Sequence, residues 1–394
     1  MLTSQPHPPI VWEGFGSAAR VLAVPSRCQP IRRAAANDRT LRVVSISERS
    51  IAISRYADPS IPSGGLTTSI VALTTDVVRD GHPVVGFGFS SIGRFAQSGL
   101  IRERFAPRLL AASEAELAAP DGSNIDPDRA WATMMRGEKP GGHGERCVAV
   151  GTLDMALWDA AGKIAGLPLY RLLRERSGNA SGATSVEVYA SGGYPYPHDD
   201  LQLLQDEIRE LLDAGYTHFK IKIGTFELAQ DVKRIEAVLA LLPSGAHLAV
   251  DAMNAYDAAS AGRAAAALAP FGLRWFEDVC DPLDFETQSS VTARYDPPIA
   301  AGEALFSVAE AVLLDRFGGL RRDRDILLFD PVHCYGVPGF TRIVGALTQA
   351  GWPLSAFWPH GGHLFTLHVA AAFGLAGCDG FEHRRDLRRL FESL

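Results

Sequence analysis

One pattern recurs eight times in the second half of the chain, and it limits the fold more than any other feature of the sequence. Short apolar runs rich in β-branched or aromatic residues (VEVYASGG, HFKIKIG, HLAVDAMNAY, LRWFEDVCDP, PIAAGEALF, DILLFDPVHCYG, LSAFWPHGGH and GLAGCDGF) are separated by polar or glycine-bearing loops and Ala/Leu-rich helical stretches. Eight strands alternating with helices at the length of one βα unit predict an α/β fold, a parallel barrel of the TIM type. A doubly wound open sheet is the competitor. It lacks its signature here, because no GxGxxG opens a helix after a strand.

The first half has a different rhythm. LRVVSISERSIAIS, LTTSIVALTTDVV and HPVVGFGFSS read as three strands, and RERFAPRLLAA and CVAVGTLDMALWDAAGKIAG as helices. The expected organisation is a tail over residues 1–40, a small α+β domain over 41–182, the barrel over 183–382 and a short segment over 383–394. The tail holds Pro8, Pro9, Pro25 and Pro30 with RRAAANDR and lacks the apolar stretch of a secretory signal. It reads as flexible, with an over-extended start or an Arg-rich transit peptide as alternatives.

Composition excludes several classes. With 394 residues, 47% of them hydrophobic and 21% charged, the chain reads as an ordinary soluble globular protein. No window reaches the apolar length of a membrane span. A net charge of -7, with no basic run before the last dozen residues, argues against a nucleic-acid surface. Cys28, Cys147, Cys280, Cys334 and Cys378 are odd in number and contain no CxxC pair, which points to neither a disulfide framework nor a zinc site and fits a reducing cytoplasm.

Three acids stand at the ends of three successive predicted strands: Asp251, Glu277 and Glu303, one every 26 residues. That spacing predicts three carboxylates at one height on adjacent strands, at the C-terminal mouth where barrel enzymes build their sites. Such a trio would be driven to protonate unless a divalent cation held it, and an all-oxygen set suits Mg2+ before Mn2+. The alternative reading is three helix N-caps.

Strand alternation puts Lys220 and Lys222 on one face of HFKIKIG and Phe219, Ile221 and Ile223 on the other. Beside a cation and each other, both ammonium groups are expected to have lowered pKa values, with Lys222, nearer the mouth, as proton acceptor and Lys220 tuning it from one layer below. Across the mouth, FDPVHC and FWPHGGH supply Asp330 and His360, a pair in which the carboxylate fixes the imidazole tautomer and yields a second acid/base group. His363 reads as a loop residue, and His333 and Cys334 follow the sixth strand without demanding a role.

A metal flanked by two acid/base groups suits removal of the proton α to a carboxylate, followed by reprotonation on the other face or loss of a β-hydroxyl as water. The KxK strand, the Asp/Glu/Glu series and the Asp–His pair resemble the mandelate racemase branch of the enolase superfamily, which the handling of carbon acids by Lys or His bases with Mg2+ characterises. The resemblance covers most of residues 41–377, including ALWDAAGKIAGLPLYRLL, and implies a (β/α)7β barrel with an N-terminal α+β capping domain. More narrowly, TTSIVALTTDVV, GLIRERFAPRLL, EKPGGHGERCVAVGTLDMALWDA and WPHGGH are similar to D-tartrate dehydratase-like acid-sugar dehydratases.

The resemblance implies Asp251, Glu277 and Glu303 as Mg2+ ligands, Lys222 as base, His360 as the acid that helps water leave, Asp330 as its partner and Lys139 as a substrate contact. Asp379 falls where the family usually has a Glu on the eighth strand, a further substrate contact. Three departures accompany it. Ile92 stands where D-tartrate dehydratases carry a substrate-contacting Asn, Met253 interrupts the usual DxN, and the family continues for some tens of residues beyond the last strand. Leu387, Leu390, Phe391 and Leu394 form a short helical stripe after it.

The leading expectation is a Mg2+-dependent dehydratase of a sugar acid or hydroxy diacid, a small carboxylate substrate, with neither nucleic acid nor membrane as partner. A racemase or epimerase using the same groups is the runner-up, and a non-catalytic barrel is the reading from a different class. A zinc hydrolase fits less well, since VEVYASGG carries no histidine pair. Barrels of this family are often higher-order assemblies, so a homo-oligomer is compatible with the resemblance.

Overall fold

The computed structural model describes residues 21–23, 41–57, 65–91, 96–178 and 185–380. Ile92 and the segment from 381 onward, with its apolar stripe, lie outside the described residues. Of the first 40 residues, only Val21–Ala23 (β1) is described, paired antiparallel with the first barrel strand.

Val43–Ala57 (β2), Gly65–Arg79 (β3) and His82–Phe89 (β4) form an antiparallel sheet in sequence order. The long helix Glu145–Ala165 lies against this sheet. Its approach explains the alternating glycines of GFGF: a Cβ on Gly86 would stand 2.0 Å from the Ala156 carbonyl oxygen, and one on Gly88 would stand 2.3 Å from that of Thr152. Side chains at these two positions would push the helix off the sheet. Leu73, Phe105, Leu109, Leu153 and Leu157 fill the space between.

The barrel strands are Ser185–Gly192 (β5), Phe219–Lys222 (β6), Leu248–Asp251 (β7), Phe276–Glu277 (β8), Ile299–Ala301 (β9), Ile326–Leu327 (β10) and Gly377–Asp379 (β11). β5 to β10 run parallel in sequence order, and β11 pairs parallel with β5. The remaining gap is bridged by residues 357–360. Trp358 N and His360 N donate to Leu327 O and Leu328 O, and Asp379 N donates to Pro359 O. Between the strands run helices Asp200–Asp213, Leu228–Leu239, Ala258–Leu268, Phe285–Thr292, Val308–Phe317, Val337–Gln349 and Leu364–Phe373. Seven of the eight expected strands form, LSAFWPHGGH joining the sheet through a bridge at Phe357 and the hydrogen bonds of residues 357–360, and the order is that of the (β/α)7β barrel the resemblance implies.

Phe219, Ile221 and Ile223 point outward into the shell between strands and helices, where they join Leu204, Ile208, Ile235 and Val250. The inside of the barrel is packed differently. Tyr189, Ala249, Trp275, Ala300, Leu328 and Trp358 form a separate plug, with the Tyr189 and Trp275 rings edge to face at 5.0 Å. Lys220 sits above it, its ammonium 5.3 Å from the centre of the Tyr189 ring. The interior thus changes from aromatic to charged on moving toward the mouth.

His368, on the last barrel helix, stacks on Tyr170 and accepts a hydrogen bond from the Tyr170 N–H. Burial pushes its pKa down to about 4. The unfolded chain therefore binds a proton there that the folded chain refuses, and the stability this neutral ring contributes is complete above about pH 6.5 and is lost as pH falls toward and through about 4. The melting temperature is expected to drop across that window, and less so in His368→Asn. Equal drops in the two proteins would show that other groups govern acid unfolding.

Among the described residues, no helix is long and apolar enough to cross a membrane. Cys147, Cys280, Cys334 and Cys378 are buried and free.

Candidate metal centre and its flanking base and acid

The three acids do converge. Asp251, Glu277 and Glu303 offer carboxylate oxygens that all lie within 4.8 Å of one another. Strand register brings the first two together: Lys222 is opposite Asp251, and Asp251 is opposite Glu277. Glu277, however, is opposite Ala300, so Glu303 does not share that level by pairing. The stagger of barrel strands carries β9 past its neighbour, and the backbone turns at Gly302, with φ of +123°, to bring Glu303 back to the cluster. Equal sequence spacing therefore predicted the convergence, but not the loop that completes it.

The N-cap reading of these acids fails on geometry. The helices that follow are capped by other residues: Asp257 accepts from Ser260 N, Asp284 from Thr287 N and Ser307 from Glu310 N. This leaves the trio for another purpose.

The two lysines pair with the trio. Lys222 is hydrogen-bonded to Asp251, and Lys220 lies 2.5 Å from Glu277 and 3.9 Å from Asp251. Trp275 Nε1 donates to the second oxygen of Glu277 at 2.7 Å. Burial disfavours the charge on both lysines, yet Asp251 for Lys222 and Glu277 for Lys220 raise both pKa values well above the ordinary range. The lowering expected beside a cation concerns the metal-bound centre, whereas these raised values reflect the carboxylate pairs alone.

The carboxylates bear the other half of this balance. Burial works against the Asp251 anion, but Lys222 and then Lys220 hold its pKa down at about 2. Glu277 is pushed up to about 8, chiefly by burial and, against the pull of Lys220, by its neighbours Asp251 and Glu303. The upward push on Glu277 shows how strongly the three converging carboxylates resist being ionised together. Glu303 Oε2 is also buried with no hydrogen-bond donor among the described residues. An all-oxygen set whose members repel one another, with one unsatisfied oxygen, fits a hard divalent ion such as Mg2+. Millimolar Mg2+ is expected to raise the melting temperature by several degrees, and Glu303→Gln to remove most of that rise. An unchanged melting curve in the wild-type protein would argue against an ion at this trio.

On the far side of the trio, His360 Nδ1 is 2.9 Å from Asp330 Oδ2, while its Nε2 faces Glu303 Oε2 at 3.5 Å. Asp330 is buried, which opposes its charge, but His333, His360 and His363 hold its carboxyl far below the usual range. Burial likewise opposes a charged His360, and Glu303 and Asp330 outweigh it, raising the imidazole pKa to about 9. Nδ1–H is thereby anchored on Asp330 and Nε2–H presented to the centre. Lys222 beside Asp251 and His360 beside Glu303 stand at the two ends of the carboxylate trio.

The other expected residues fall as follows. Asp379 is buried at the end of β11, and its charge raises the pKa values of both Tyr189 and Lys220. Lys139 is exposed in the loop after helix Pro127–Met135, its carbonyl accepting from Arg146 Nη1. His363 caps helix Leu364–Phe373 by accepting from Thr366 N, a structural task.

Two residues near the centre went unassigned by sequence. His333 lies with its Nδ1 3.7 Å from Asp330 Oδ2, its ring 5.9 Å from that of His360. Asp278, adjacent to Glu277, is buried with φ of +45°, and burial together with Glu303, Asp251 and Glu277 pushes its pKa well up. The Glu-Asp doublet was the available signal for Asp278, and nothing local distinguished His333.

Comparison with known proteins agrees with this geometry. Residues 203–392 match the family described as Enolase C-terminal domain-like. The L-talarate/galactarate dehydratase of Salmonella typhimurium is 30% identical over 316 residues, covering 79% of this chain and 72% of that protein. Arabinonate dehydratase of Saccharolobus solfataricus is 28% identical over 250 residues, 63% of this chain and 64% of that one. The crystal structure of L-talarate dehydratase from Polaromonas sp. JS666, complexed with Mg and L-glucarate, superposes with a TM-score of 0.65 at 26% identity, covering 86% of each chain. With the barrel, the carboxylate trio, the KxK strand and the Asp–His pair all in place, the chain belongs to the mandelate racemase/muconate lactonizing enzyme branch of the enolase superfamily.

Proposed function

We propose that the protein is a Mg2+-dependent hydro-lyase acting on an acid sugar or hydroxy diacid, which removes the proton α to a carboxylate and expels the β-hydroxyl as water to give an α-keto acid. The observation that carries this reading is the placement of a lysine and an Asp-anchored histidine at the two ends of one carboxylate trio. The dehydratase names of the relatives support it.

Mg2+ held by Asp251, Glu277 and Glu303 would supply the positive charge that offsets negative charge growing on the substrate carboxylate and relieve Lys222 of its ion pair. Lys222 Nζ then accepts the α-proton. Lys220, fixed between Glu277 and the Tyr189 ring, keeps a positive charge one layer below and disfavours a second charge on Lys222. His360 donates its Nε2 proton to the departing β-hydroxyl, and Asp330 holds Nδ1 throughout. The resulting enol tautomerises to the keto acid. Asp379 and Lys139 are assigned as substrate contacts from the barrel end and the cap loop.

Proton NMR in D2O with Mg2+ tests the reading on a panel of aldonates, aldarates and tartrates. Loss of the α-proton signal together with a keto-acid product is the expected result, and the panel also separates tartrate-sized substrates from longer ones. Exchange without a keto acid would move the assignment to a racemase or epimerase. No change with any compound would sink both.

A further inference from the structure

The acid side of the site does not belong to the barrel alone. Four donors hold the Asp330 carboxylate. Oδ1 accepts from the backbone N–H groups of Val332 at 2.7 Å and His333 at 3.3 Å. Oδ2 accepts from His360 Nδ1 at 2.9 Å and from Ser91 Oγ, also at 2.9 Å. Three of these come from barrel strands and their loops, and the fourth comes from the cap, 239 residues away in sequence.

Ser91 is placed there at a cost. It is buried and has φ of +52°, a left-handed conformation that non-glycine residues adopt only when the surroundings impose it. The surroundings are specific. Thr68 Oγ1 donates to the Ser91 carbonyl at 3.3 Å, Ser90 N donates to Ser69 O at 3.0 Å, and Ser90 Oγ lies 2.9 Å from Thr152 Oγ1 of the long cap helix. That same helix fixes the loop after Asp330. Asp154 accepts from Val337 N at 2.8 Å, and Gly151 comes so close that a Cβ would stand 1.8 Å from the Val332 carbonyl oxygen. Cap and acid loop are thus docked at several points, Trp131 Nε1 also donating to Tyr335 O at 2.7 Å.

We propose that Ser91 is a positioning residue for His360: the cap contributes one hydroxyl that stops rotation of the Asp330 carboxylate and so fixes the imidazole Asp330 orients. Two hydrogen bonds converge on Oδ2 and define its direction, and removing the hydroxyl leaves that oxygen to His360 and the more distant His333. On the base side Lys222 is held by barrel residues, hydrogen-bonded to Asp251 and 5.4 Å from the centre of the Tyr194 ring. Losing the hydroxyl therefore affects protonation of the leaving group and leaves α-proton removal intact. This catalytic consequence rests on the dehydratase reading, but the structural link does not.

Ser91→Gly tests it, because glycine accepts φ of +52° without strain and removes only the hydroxymethyl group. With 15N-histidine label, the His360 Nδ1–H resonance, identified by its absence in His360→Asn, is expected to exchange with solvent about tenfold faster in Ser91→Gly. Ser47→Ala, on the exposed face of β2 and outside this network, is expected to leave the resonance unchanged. With Mg2+ and galactarate in D2O, the ratio of α-proton exchange to keto-acid formation is expected to rise about tenfold in Ser91→Gly. An unaltered resonance, or equal loss of exchange and elimination, would overturn the proposal. Were the wild-type protein to process none of the acids, the dehydratase reading would fall, while the resonance would still decide the role of Ser91.

Discussion

Replacing Lys222 by methionine is expected to lower both α-proton exchange and keto-acid formation by at least about a thousandfold. Methionine preserves the apolar stem and volume of the lysine but cannot accept a proton, so the barrel should remain folded. The loss has a second signature. In the wild-type protein the Lys222 ammonium satisfies part of the Asp251 charge, and a metal must compete with it. Without that ammonium, Mg2+ is expected to bind more tightly, as seen by isothermal titration calorimetry, while activity disappears. Weaker Mg2+ binding with lost activity would mean that the substitution had damaged the metal site instead of removing the base.

His360→Asn separates the two halves of the reaction. Asparagine can retain a hydrogen bond toward Asp330 but has no proton to deliver at the position of Nε2. Keto-acid formation is expected to fall by about a hundredfold or more, with α-proton exchange kept within a few-fold of the wild-type rate. This outcome is read in the same D2O experiment. Exchange that vanished along with elimination would place His360 on the proton-abstraction side and reverse the assignment of base and acid. The pair of variants therefore tests direction as well as identity.

How much of this could be read from the residues alone depended on whether the information was local. The barrel strands were legible because strands buried on both faces read as continuous apolar runs. The KxK alternation correctly put Lys220 and Lys222 on the inner face, with Phe219 and Ile221 in the outer shell. Chain spacing brought Asp251, Glu277 and Glu303 together, although the turn at Gly302 that returns Glu303 to its neighbours follows from barrel stagger and leaves no periodic trace.

Other features depended on contacts between distant segments. Ser91 and Asp330 meet across the domain boundary, as do Asp154 and Val337, and neither partner has a local pattern that announces the other. His333 was passed over because a histidine beside a strand end carries no directional information until the loop is folded. The lysine ion pairs are a further case, because which carboxylate each ammonium meets is known only once the barrel is closed.

The aromatic floor of the barrel has a practical consequence. Trp275 donates its indole N–H to Glu277 and packs against Tyr189 and Trp358 in the buried interior. Indole emission responds to charge at the ring edge, so this side chain is an intrinsic fluorophore joined directly to one of the candidate ligands. Occupancy of the carboxylate trio should be visible as a change in ultraviolet emission that is absent in Trp275→Phe. The protein would then report its own ion affinity optically, with no substrate required.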